Sequence, residues 1–143
     1  MKRFSFSLEK VLSLRKFREQ ETKIELGKAI GELSEIENNI NKVAQERFRA
    51  GDQFSGNGAI IRSYMLYVSR LDLKKEELLG EAAKAELKVE GARAVFIEAS
   101  MERKVLDKLK EKRSGEYRKL ILAEETKSLD DQGLNRQNLV NRA

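Results

Sequence analysis

The chain has 143 residues and a formal net charge of +5, with 37% charged residues and only 6% aromatics, where an ordinary globular domain carries roughly 25% charged residues. That is about one domain's length, and so charged a composition excludes a large compact core. Cys and His are absent, which removes disulfides, thiolate metal ligands and the commonest general base; Pro is absent too, which favours long uninterrupted helix, because Pro stops helices and marks turns.

The first nineteen residues, "MKRFSFSLEKVLSLRKFRE", combine two patterns. Phe4-Ser5-Phe6-Ser7 alternates as a strand does, while Leu8, Val11, Leu12 and Arg15 fall at helical spacing. Ser7 is a suitable N-cap, and Phe6 before it with Val11 at the fourth helical position is the arrangement of a hydrophobic staple. This reading leaves Phe4 free to meet something outside the chain. The first helix is predicted over about residues 7–50. "GDQFSGNG" then places three glycines in eight residues, a loop over about 51–58. Asn57 is placed to cap a second helix over about 59–130, and the polar "LNRQNLVNRA" within 131–143 is expected to fray.

Both predicted helices carry heptad seams. In the first, Leu8, Leu12, Arg15, Glu19, Thr22, Leu26, Ala29, Leu33, Ile36, Ile40 and Val43 follow alternating steps of four and three. In the second, a series from Ile61 through Tyr64, Val68, Leu71 and Lys75 to Lys110, Arg113, Tyr117 and Leu120 is apolar at fourteen of eighteen positions. Such regularity indicates a coiled coil. Stripes this narrow leave neither helix stable alone, so the expected fold is all-α: two long helices in an antiparallel coiled-coil hairpin, forming a single unit over 1–143.

A register follows from opposing large residues to small ones. If facing residue numbers add to about 107–108, Leu26 meets Ala82, Thr22 meets Ala85, Leu12 meets Phe96, Leu8 meets Ala99, and Gly27 comes against Gly80. Cysteines at positions 12 and 96 would then crosslink. The glycine pair allows a close backbone approach, or merely softens each helix by about 1 kcal/mol relative to Ala. About 44 residues of helix span roughly 65 Å and about 70 span roughly 105 Å, so the second helix is expected to overhang. Leu106, Leu109, Tyr117, Leu120, Ile121 and Leu122 would lie uncovered there, and uncovered apolar surface implies an external partner.

Charge is unevenly placed. Residues 1–23 and 104–120 each hold seven Lys/Arg against three Asp/Glu; these two +4 segments exceed the total of +5 by three, leaving −3 for the remainder. No apolar run reaches the roughly 20 residues of a membrane span and no signal peptide is evident, so a cytoplasmic location is expected. "GKAIGE" at 27–32 lacks the spacing and the hydroxyl of a phosphate-binding loop. Glu76-Glu77 and Glu124-Glu125 read as solvated faces, and a two-helix coil offers no catalytic pocket. Tyr64 lies on the seam, whereas Tyr67 lies off it and is either surface or a partner contact.

Taken together, "FSFSLEKVLSLRKFRE", the glycine-containing loop, "IRSYMLYVSRL" and the basic "KVLDKLKEKRSGEYRK" resemble the flagellar export protein FliJ family over about residues 2–130. The resemblance implies a non-enzymatic, cofactor-free antiparallel coiled coil like the central stalk of rotary ATPases. It implies that the protein promotes assembly of the hexameric export ATPase FliI and also engages the export gate protein FlhA and substrate chaperones. The ATPase-facing residues would be Phe4, Phe6, Leu8, Val11, Arg15, Arg18, Lys110, Arg113, Tyr117 and Arg118. Those facing the gate would be Tyr67, Leu71, Lys74 and Leu78, of which Lys74 and Leu78 depart from the small and polar residues implied there. The resemblance further implies a monomer in isolation, without membrane insertion, held peripherally at the inner face of the cell membrane and serving motility and chemotaxis.

Three other classes are compatible with parts of the sequence. An injectisome type III secretion stalk would look almost the same, and only genomic neighbours would separate the two. A generic dimerising coiled-coil scaffold would bury the overhang in a second copy. Nucleic-acid binding is disfavoured, because the basic segments lack interleaved aromatics and the remainder is acidic.

Overall fold

A computed structural model describes residues 3–54 and 58–142, with Ala59 described by its backbone alone; the expected cap Asn57 lies outside the described residues. Helix α1 runs over Glu9–Gln53 and α2 over Gly58–Arg142. The two pack against each other as an all-α helical hairpin, with no strand among the described residues. Helix α2 continues well past residue 130, where fraying was expected. No proline interrupts it, and the lone Gly133 costs only about 1 kcal/mol of helix propensity.

The described residues group into two compact units, residues 18–99 and residues 1–17 with 100–143. In the first, Val43, Leu71 and Leu78 are buried together, with Ile40 packed against them. Ala82, Ala85 and Val89 continue the buried line along α2. Arg47 pairs with Asp72 at 3.2 Å and Lys88 with Glu32 at 3.9 Å. These two pairs set facing residue numbers that add to 119–120, about three helical turns from the expected 107–108.

Alanines recur along α2 at 82, 85 and 92, so opposing large to small is satisfied in more than one register and does not choose between them. Charge does: the shorter register would set Asp72 level with Glu35, whereas the observed one gives it Arg47. Gly27 and Gly80 do not approach anything, since a Cβ built on either meets no atom within 4 Å. Of the two alternatives, it is the softening of the helices that holds.

In the second unit, Phe6, Leu12 and Leu106 are buried together, with Phe4, Leu8 and Leu109 packed on them. Leu12 is thus buried with Leu106 where Phe96 was expected, and Leu8 packs on that cluster where Ala99 was expected. The staple is also replaced. Phe6 lies on two leucines and leaves Val11 38% exposed, because enclosing the ring between two leucines removes more apolar surface than covering one valine. The longer register has a further consequence: Leu106, Leu109 and Tyr117, expected to be uncovered, are covered by Leu12 and the segment preceding α1. The overhang of α2 begins beyond them, and residues 122–142 are exposed throughout.

The α2 seam holds from Tyr64 to Lys110 and then rotates by one residue. Ser114, Tyr117 and Ile121 are half-buried while Arg113 and Leu120 are exposed. From Leu106 the inward positions run through 110, 114 and 117 to 121, fifteen residues over four turns where the heptad takes fourteen, a wider spacing that relaxes the left-handed supercoil. Keeping strict heptads would have turned the Arg113 guanidinium inward, where an unpaired charge is costly.

Three measurements follow. In this cysteine-free chain, Leu12→Cys combined with Leu106→Cys is expected to crosslink under mild oxidation. Gly27→Ala and Gly80→Ala should each raise stability by about 0.5–1 kcal/mol, seen as a higher urea midpoint. Leu71→Ala should lower it by about 2–5 kcal/mol.

Candidate functional site

Nine of the ten residues expected to face an ATPase fall in the unit of residues 1–17 and 100–143, all but Arg18. The backbone before α1 turns tightly, Glu9 N–H donating to Phe6 C=O at 3.1 Å and Leu12 N–H to Leu8 C=O at 2.9 Å. This turn lays Phe4 and Phe6 along α2. Phe6 is only 7% exposed; the Phe4 ring lies 5.7 Å from that of Tyr117, tilted by 42°. Edge-tilted aromatic pairs at this separation are favoured by their quadrupoles.

Basic side chains close over the same segment. Arg113 sits 5.7 Å from the centre of the Phe6 ring and donates Nη1–H to Ser7 Oγ at 3.1 Å. Lys110 pairs with Glu9 at 2.9 Å. One turn further along α1, half-buried Arg15 donates Nη1–H to the Glu102 backbone carbonyl at 2.9 Å. Ser7 thus serves as an acceptor for α2 as well as standing at the start of α1. Sequence reasoning missed Ser7, Glu9 and the Glu102 carbonyl as anchors, because nothing in a linear pattern pairs residues about a hundred positions apart.

The expected set therefore divides. Phe4, Phe6, Leu8, Arg15, Lys110, Arg113 and Tyr117 make contacts within the chain, while Val11 and Arg118 are exposed. Arg18 is exposed in the unit of residues 18–99. That unit carries −2 and its companion +7, which together make the chain's +5. Both basic segments contribute to the +7.

Of the residues expected to face an export gate, Leu71 and Leu78 are buried with Val43. Tyr67 and Lys74 are exposed. Nearby, Val43, Phe48, Tyr64 and Leu71 line an open groove of about 590 Å³ whose rim holds the Arg47–Asp72 pair. Phe54 stacks on Tyr64 with ring centres 4.7 Å apart. Phe48 was overlooked because it lies off the seam, and an aromatic off the seam is its sequence signal.

A family model described as flagellar FliJ protein matches residues 4–141. No curated protein and no solved structure matches the chain significantly.

The packing predicts a sharp contrast between two phenylalanines. Phe6→Ala should cost about 3–5 kcal/mol, whereas Phe17→Ala, at a position 63% exposed, should stay within about 0.5 kcal/mol; chemical denaturation of the two variants reads both.

Proposed function

Since this chain belongs to the flagellar FliJ protein family, whose members are non-catalytic components of the flagellar export apparatus, we propose that it acts there as a stalk-like coiled coil that promotes assembly and activity of the hexameric export ATPase. The observation that carries this reading is the +7 of the unit formed by residues 1–17 and 100–143, against −2 for residues 18–99. A concentrated positive field draws the protein toward an acidic ring interior and speeds encounter more than it tightens binding. Val11, Arg113 and Arg118 present the outward contacts, and Phe4, Phe6, Leu8 and Tyr117 shape that surface from within. Lys110 and Arg15 hold the two helices in register beneath it.

The same protein links the ATPase to the export gate and to substrate chaperones. Tyr67 and Lys74 form the outer part of the gate contact, supported from below by Leu71 and Leu78. No described helix is long and apolar enough to cross a membrane, so attachment at the membrane goes through these partners.

Mixing the chain with the export ATPase of the same organism should raise both hexamer formation and hydrolysis. Arg118→Glu is expected to weaken that effect by roughly tenfold, about 1.4 kcal/mol, with the difference shrinking as salt is added. An unchanged hydrolysis rate on adding the wild-type chain would return the protein to the scaffold class.

A further inference from the structure

The segment before α1 is held to α2 by a small set of side-chain contacts, and we propose that it is a displaceable clasp. An acidic partner surface that recruits Lys110 and Arg113 releases residues 3–8 and uncovers Leu109, Tyr117 and the side of Leu106 that Phe6 covers. The proposal rests on the stalk reading for its partner and adds how that surface is switched.

Three observations carry it. First, the described backbone of the segment hydrogen-bonds only locally, Glu9 to Phe6 and Leu12 to Leu8; no ladder ties it to α2. Second, its apolar hold is three side chains, Phe6 clustered with Leu106, Leu8 packed on that cluster, and Phe4 against Tyr117. Third, its polar hold consists of the groups an acidic surface would compete for. The Lys110–Glu9 pair is solvent-accessible, its side chains 37% and 50% exposed. Arg113 is also exposed, and it carries both the Ser7 contact and the cation over Phe6.

The linkage follows from the charges. A carboxylate from outside that takes Arg113 removes the Ser7 hydrogen bond and the cation from the Phe6 face together, since one guanidinium supplies both. Taking Lys110 leaves Glu9 facing the incoming acidic surface, which repels it and drives the segment away. Leu106, Leu109 and Tyr117 lie on one face of α2 at intervals of three and eight residues, so the lifted segment bares a continuous strip where it had been seated. Binding therefore couples an electrostatic encounter to the exposure of apolar surface. The closed form keeps that surface from other contacts.

The test uses the full chain, which has no cysteine of its own, carrying Ser5→Cys and Ser114→Cys, and a short bis-maleimide to tether the segment to α2. Efficient linking is expected. The unlinked double variant should stimulate the export ATPase as the wild type does, and linking should lower stimulation at least tenfold. Failure of the two cysteines to link would show that the segment is not seated on α2, and full stimulation by the linked protein would show that it need not open; either overturns the clasp. If the wild-type chain leaves the ATPase unaffected while the cysteines still link, the stalk reading fails and the switch fails with it, although the seated segment stands.

Discussion

Everything in this molecule depends on two narrow apolar stripes covering each other. Helix nucleation is unfavourable, and a helix with so thin an apolar face gains little by forming alone; pairing removes the seam from water along both helices. In residues 18–99 the α2 side of that seam is built largely from Ala82, Ala85 and Val89, with larger side chains at Leu71 and Leu78, which are buried with Val43 of α1. In the other unit Leu12 is fully enclosed, flanked by Phe6 and Leu106. Stability is thus spread as many small contributions instead of residing in one core.

A seam of this kind constrains which face is inward more strongly than it constrains how far one helix slides along the other. Alanines repeating along α2 accept a large residue at several levels, and the choice falls to charge and to the total apolar surface covered. The observed register brings Arg47 to Asp72 and Lys88 to Glu32. Exposed pairs of this type contribute only about 0.2–1 kcal/mol each, so they select mainly by what they avoid, namely like charges set face to face. The larger gain lies in residues 1–17, where the slide brings Leu106, Leu109 and Tyr117 under Phe4, Phe6, Leu8 and Leu12.

That arrangement gives the basic unit its character. Residues that looked like an exposed tip are largely committed to holding α2, and the cations around them serve two roles at once. Arg113 and Lys110 complete the packing of the segment before α1 while contributing to the +7 field that the functional reading uses. A surface whose binding groups also maintain its closed form responds to a partner by rearranging, which suits a component that must engage and release.

The sequence by itself determined the helical class, the two helices, their antiparallel pairing and the family. Heptad spacing and the absence of proline are local facts, and from Leu8 to Val43 every residue assigned to the first seam is buried or half-buried. Only the tertiary structure decided the register, the one-residue rotation of the α2 seam after Lys110, and the use of Phe4 and Phe6 as an internal anchor rather than a free tip. The reason is physical: which face of a helix turns inward is set by neighbours a few residues away, whereas the partner of Leu12 or Ser7 lies about a hundred residues distant. That partner is chosen by the sum of charge and burial along both helices, a quantity no short stretch of sequence contains.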